Sequence, residues 1–91
     1  MKKNDRSMLE QIRKNLLKKG LRDIRGEKYR EGNTTLYIIT APLKRGLNKK
    51  QRINNVAISS RWSNRIHVAT YVPSTNKIFM FPQVFRFASK R

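Results

Sequence analysis

Met8, Leu9, Ile12, Leu16 and Leu17 recur at spacings of three and four, which sets them on one stripe of an α-helix. Ser7 stands just ahead of the stripe with Glu10 three residues on, the spacing of a capping box. Lys18, Lys19 and Gly20 close it. Cations suit the negative end of the helix dipole, and glycine readily takes the left-handed conformation at which helices stop, so that Leu21 can fold back onto the last turn. The pattern predicts a helix over 7–19 behind a flexible arm over 1–6. Residues 20–33 mix charges with glycines and read as a connector or as a short irregular strand near 21–24. Thr34–Thr40 is β-branched and aromatic on both of its alternating faces, which predicts a strand central in a sheet, ended by Ala41-Pro42.

Arg65–Val72 alternates strictly, with Ile66, Val68, Thr70 and Val72 on one face and Arg65, His67, Ala69 and Tyr71 on the other. Pro73-Ser74-Thr75-Asn76 is turn chemistry, and Lys77–Phe81 is a second short apolar run closed by Pro82, so the pair predicts an antiparallel hairpin. Val68 and Ile78 are expected in its buried layer, and one of Phe79 and Phe81 is expected to face the helix. Val84–Phe87 reads as a short edge strand and 88–91 as a basic tail. Residues 43–52 support two readings: a mobile basic loop, or a loop running into a short helix capped by Asn48 with Ile53, Val56 and Ala57 on its buried side. The expected fold is α+β: a small single-layer sheet, antiparallel or mixed, with the N-terminal amphipathic helix and room for a second short helix packed on one face. At 91 residues the chain is long enough for one domain, 1–91.

Charge changes the picture most. The chain holds 22 Lys and Arg against 5 Asp and Glu, a formal net charge of +17. The acids Asp5, Glu10, Asp23, Glu27 and Glu31 all precede Gly32, and no carboxylate side chain follows. Surfaces ordinarily intersperse the two signs, and self-repulsion of this size weakens the compact state unless a polyanion relieves it. The natural polyanions are DNA, RNA and anionic membrane; the only amphipathic helix has acids near its start and needs its apolar stripe for the core, so no membrane partner is expected and nucleic acid is favoured. Within the acid-free stretch, Lys44, Arg45, Lys49, Lys50 and Arg52 form a run suited to successive phosphates, and Arg61, Trp62 and Arg65 extend it with a ring on which a base can stack. By this reading the Lys49–Lys50 pair belongs to the contact surface, whereas Lys18 and Lys19 serve the helix dipole.

Other chemistries find no residues. There is no cysteine and one histidine, so no zinc site and no disulfide can be built. Two-metal hydrolysis needs clustered carboxylates, which the downstream chain lacks, and Lys44-Arg45-Gly46 is not a phosphate-cradling glycine loop. No cofactor is expected. No apolar run reaches the length of a membrane span, and the basic start of the chain is not followed by a continuous apolar region, so the expected setting is the cytoplasm.

The stretch Arg61-Trp62-Ser63-Asn64-Arg65-Ile66-His67-Val68, followed by a hairpin and a basic aromatic end, resembles the C-terminal sheet of RelE-type toxin ribonucleases. The resemblance spans some 25 residues without a diagnostic motif, and the helix-first order with a strand at 34–40 departs from the family pattern. It implies metal-independent RNA cleavage with His67 or Tyr71 beside Arg61 and Arg65. The leading expectation is a non-enzymatic DNA- or RNA-binding protein acting through phosphate contacts with limited sequence readout. In size and charge it is similar to accessory proteins of phages, plasmids and ribosomes, and a homodimer is compatible with it. The rival classes are the toxin-type ribonuclease and a basic inhibitor or adaptor that binds an acidic protein.

Overall fold

The structure, a computed structural model, describes residues 3–45, 52–53, 56–57 and 64–90. It is α+β. Helix α1 (Lys3–Lys18) leads into strands β1 (Arg25–Glu31) and β2 (Thr34–Pro42), a two-stranded ribbon β3 (Arg52–Ile53) and β4 (Val56–Ala57), strands β5 (Arg65–Val72) and β6 (Lys77–Met80), and a 3-10 helix (Pro82–Phe87). The main sheet has the order β1-β2-β5-β6, with every neighbouring pair antiparallel. No helix among the described residues is long and apolar enough to cross a membrane.

Helix α1 starts before Ser7, so that residue lies inside the helix rather than capping it. Asp5 occupies the first turn, where a carboxylate suits the dipole, and accepts a hydrogen bond from the Tyr37 hydroxyl at 3.4 Å, which ties the start of α1 to the sheet. The C-terminal end follows the sequence. Gly20 sits at φ +92°, its amide donates to the Leu17 carbonyl and the Leu21 amide donates to the Leu16 carbonyl, the paired bonds of a Schellman motif. Leu21 is fully buried beside Leu16 and Ile12 in one core cluster.

Strand β1 occupies the segment expected as connector. Its sequence, RGEKYRE, offers no apolar alternation, because it is a sheet edge exposed along nearly its whole length and held by backbone pairing to β2. Charged side chains on such an edge discourage further strand pairing. The legible signal was Gly32-Asn33 between Glu31 and Thr34: Gly32 takes φ +62° at the first turn position, as a two-residue hairpin requires. Strand β2 is central, flanked by β1 and β5.

Reading across the strands, Gly26, Ile39, Ala69 and Met80 form one row, and Lys28, Tyr37, Tyr71 and Ile78 the next. A Cβ built on Gly26 would meet Leu9 of α1 at 3.7 Å, which places these rows under the helix. Tyr37 and Tyr71 stack there with ring centroids 6.0 Å apart. The alternation expected for 65–72 holds through Val68 and then reverses. The β2–β5 register shifts between Ile39 and Thr40, so Val68 and Ala69 are both buried and Tyr71, not Thr70, turns toward α1. The bulge also decides β6. Ile78 and Met80 share rows with Tyr71 and Ala69, while Phe79 faces away from the helix and Phe81 meets His67 on that same face, against the expectation that one of the two faces the helix. Ile78 is 38% exposed at the sheet edge and is not a core residue.

Two further expectations are corrected. Val84–Phe87 is 3-10 helix rather than strand: Pro82 at its start has no amide to offer a ladder, and the Val84 amide donates instead to the Phe81 carbonyl at 3.0 Å. Ile53, Val56 and Ala57 pair as β3 and β4 rather than forming a second α-helix, in keeping with the β-branched side chains of the first two; Asn48 lies outside the described residues. Residues 88–90 are tied down. Leu43 bridges Ala88, Leu21 bridges Lys90, and the Ser89 amide donates to the Pro42 carbonyl at 2.7 Å.

This core assignment separates two aliphatic truncations. Leu16→Ala should cost about 2–5 kcal/mol and Ile78→Ala less than about 1 kcal/mol, measured by thermal or denaturant unfolding. Equal losses in the two variants would contradict the placement of α1 over the β2–β5 rows.

Candidate nucleic-acid interface

The segment 88–90 lies between the end of α1 and the end of β2, and its bridges draw cations from three parts of the sequence to one end of the molecule. Lys18 and Lys19 close α1, Arg22 follows it, Lys44 and Arg45 follow β2, and Lys90 lies beside Gly20, its Cδ 3.6 Å from where a glycine Cβ would stand. All six are exposed. The Lys44 amide donates to the Phe87 carbonyl at 2.9 Å, and Arg22 Nε donates to Ser89 Oγ at 3.2 Å, which fixes the relation of the pieces. Arg86 lies next to this seam with its guanidinium 4.7 Å from the centroid of the Phe87 ring.

The expected contact residues fall in three groups. Lys44 and Arg45 are exposed at this basic end. Lys49, Lys50, Arg61 and Trp62 lie outside the described residues, and Arg52 is placed as backbone in β3. The Leu43 amide donates to the Asn64 carbonyl at 2.8 Å, which joins the end of β2 to the start of β5.

Arg65 is a different case. Its side chain is 12% exposed, and its guanidinium is spent inside the protein. Nη1 pairs with Asp23 Oδ2 at 3.0 Å, Nε donates to Thr40 Oγ1 at 2.8 Å, and Nη2 donates to the carbonyls of Thr40 and Asp23. A buried guanidinium satisfied on this scale positions the chain; it does not reach outward for phosphate. Burial lowers the Arg65 pKa while Asp23 acts to raise it, and the group remains a cation.

That pairing also engages the carboxylate that adjoins the basic end. Asp23, at φ +48°, carries Arg65 at 3.0 Å and Arg25 at 3.3 Å. The Asp23–Arg65 link joins residues 42 positions apart, which no local pattern in the sequence reveals. Asp5 and Glu31 are distant. Asp5 stands about 20 Å from Lys18 along α1, and Glu31 about 20 Å from Arg25 along β1. Glu10 pairs with Arg13 at 2.9 Å, and Glu27 accepts from the Tyr29 hydroxyl at 2.8 Å. A cleft of about 520 Å³ lined by Asp5, Lys28, Asn33, Thr35 and Tyr37 opens at that far end and is not acid-free.

Of the groups considered for RNA cleavage, Arg61 lies outside the described residues, and His67 and Tyr71, the two alternatives beside Arg65, occupy opposite faces of the sheet. His67 stands on the face away from α1, its Nε2 2.6 Å from Thr70 Oγ1 and its ring edge-on to Phe81 at 5.0 Å. Burial lowers the His67 pKa, partly opposed by a backbone hydrogen bond at Ala69, and keeps the ring neutral. Tyr71 lies on the opposite face, 2% exposed, where burial raises its pKa. No group of three or more His, Asp or Glu among the described residues could hold a metal ion.

No family model, no curated protein and no solved structure matches this chain.

The Arg65–Asp23 pair predicts a pH signature. The hydrogen bond from Arg65 is the largest influence on the Asp23 carboxyl and holds it below the ordinary aspartate value. A carboxyl depressed on folding stabilises above its unfolded-state pKa, and that contribution disappears as pH falls through the folded value. Asp23→Asn should therefore cost about 1 kcal/mol near pH 7, a modest figure because solvent screens an exposed carboxylate. The gap from wild type should close as pH falls below about 4. A gap unchanged at low pH, in urea unfolding across that range, would remove the ion pair as its cause.

Proposed function

We propose that this protein binds nucleic acid without catalysis, through phosphate contacts made by the basic end that Lys18, Lys19, Arg22, Lys44, Arg45 and Lys90 form. The observation that carries the reading is that backbone bridges bring these exposed cations from three separate segments to one end, where the adjoining Asp23 is paired with Arg65 and Arg25. Six cations held together in water repel one another, and condensed counterions or a polyanion relieve the repulsion. Nucleic acid supplies regularly spaced phosphates and releases its own counterions on binding, which gives the association an entropic drive that weakens with salt. Lys49, Lys50, Arg52, Arg61 and Trp62 continue the acid-free sequence beyond Lys44 and Arg45, and their charge and ring add to the same contact in this reading.

The reading has no base-reading helix. Helix α1 turns its apolar stripe to the sheet, and cations on short connections follow a backbone rather than a base sequence. The protein thus recognises charge and shape, in the cytoplasm, where DNA and RNA are both accessible. Lys18 and Lys19, which the sequence assigned to the helix dipole alone, become part of the contact.

Salt tests this directly. The logarithm of the binding constant should fall with the logarithm of salt concentration at a slope of about −0.7 to −0.9 per neutralised phosphate, with roughly 4–7 phosphates engaged. The combined change Lys44→Ala, Arg45→Ala and Lys90→Ala should shallow the slope by about two to three units. The pair Lys28→Ala and Arg30→Ala, on β1, should leave it unaltered. A wild-type slope near zero, or a larger effect from the β1 pair, would overturn the assignment.

A further inference from the structure

Helix α1 covers one face of the sheet. The other presents Tyr29 and Leu36 in one row and Glu27, Ile38, Thr70 and Phe79 in the next. Leu36, Ile38 and Thr70 are half-buried by their neighbours in the sheet. Phe79 is 47% exposed, on the edge strand β6. Burying a phenylalanine ring is favourable, so a half-uncovered ring forgoes part of that gain in the free protein.

The face divides by charge. The β1 side carries Glu27 and Glu31, whereas the β5–β6 side, with His67, Thr70, Val72, Lys77 and Phe79, contains no carboxylate. An exposed ring on the acid-free half of a face, in a chain of net charge +17, suits an anionic ligand with flat apolar surfaces. Unpaired nucleobases have them. Every base has a π-face on which an aromatic ring can stack, and Lys77, two residues away on the same face of β6, sets a cation beside the ring. A duplex hides its base faces in its own stack and can offer Phe79 only backbone.

Building on the nucleic-acid reading, we propose that the β5–β6 half of the open sheet face, with Phe79 as its platform, takes unpaired bases, so that the protein prefers single-stranded over double-stranded nucleic acid. The basic end holds phosphates of either form, and Phe79 supplies the discrimination. Thr70, joined to His67 at 2.6 Å on the same face, has further acceptor capacity on its hydroxyl for a base or sugar seated there. Because stacking is sequence-tolerant, the preference is for strandedness and not for a base.

The experiment measures fluorescence anisotropy of a labelled oligothymidylate, an oligouridylate and a DNA duplex of equal length over a range of salt. Wild type, Phe79→Leu and Phe79→Trp are compared. Wild type should bind the single strands more tightly than the duplex. Phe79→Leu, which keeps an apolar side chain and removes the ring, should weaken single-strand binding roughly 5- to 100-fold, the value of one stacked base, and leave duplex binding and both salt slopes unchanged. Phe79→Trp should restore or strengthen single-strand binding. Since the ring is exposed, melting of both variants should match wild type, and light scattering of the free protein should give a monomer. Unchanged single-strand affinity in Phe79→Leu, or an equal loss for duplex, overturns the platform while the basic-end reading stands. A dimer that Phe79→Leu dissociates assigns the ring to a second copy and likewise overturns it. Failure of wild type to bind any of the three probes refutes the nucleic-acid reading itself.

Discussion

The backbone bridges Leu21–Lys90 and Leu43–Ala88 hold the last residues of the chain between the end of α1 and the end of β2, and the arrangement of charge at that end depends on them. They bring Lys90 beside the helix terminus and keep Lys44 at the 3-10 helix, with Leu21 and Ala88 fully buried beneath. Burial of those two apolar residues thus works against the repulsion among Lys18, Lys19, Arg22, Lys44, Arg45 and Lys90. Hydrophobic contact and hydrogen bonding are short-ranged, and the opposing repulsion between exposed cations is screened within about 8–10 Å at ordinary ionic strength, which lets the packing prevail.

The Arg65–Asp23–Thr40 network complements this. Arg65 begins β5 and Thr40 lies near the end of β2, while Asp23 sits in the connection from α1 to β1. One guanidinium therefore fastens three segments beside the basic end and in the same act cancels the acid that would oppose an anionic ligand. Removing Asp23 leaves a largely buried cation without its counter-charge, which is why the pair matters more to the fold than its exposure suggests.

Much of this fold was legible in the sequence, for identifiable reasons. The stripe from Met8 to Leu17 and the stop at Gly20 give α1 and its Schellman end, because periodicity and backbone conformation are local properties. The hairpin of β5 and β6 follows from alternation and turn residues. Strand β1 was hidden because an exposed edge needs no apolar face, and the bulge beside Val68 was hidden because register is set by the partner strand. At the candidate site, Lys44 and Arg45 were read from charge alone. The approach of Lys18, Lys19, Arg22 and Lys90 to these two was not legible, because it depends on long-range bridges that leave no periodic trace. The engagement of Arg65 by Asp23 was missed for the same reason.

The central claim is that the end built by residues 88–90 is the surface that meets the polyanion. Lysine acetylation of the free and nucleic-acid-bound protein, followed by mass spectrometry, reads that surface residue by residue. The account predicts protection of Lys18, Lys19, Lys44 and Lys90, with Lys14 and Lys28 acetylated alike in both states. Protection of Lys14 and Lys28, with Lys44 and Lys90 left reactive, would contradict it.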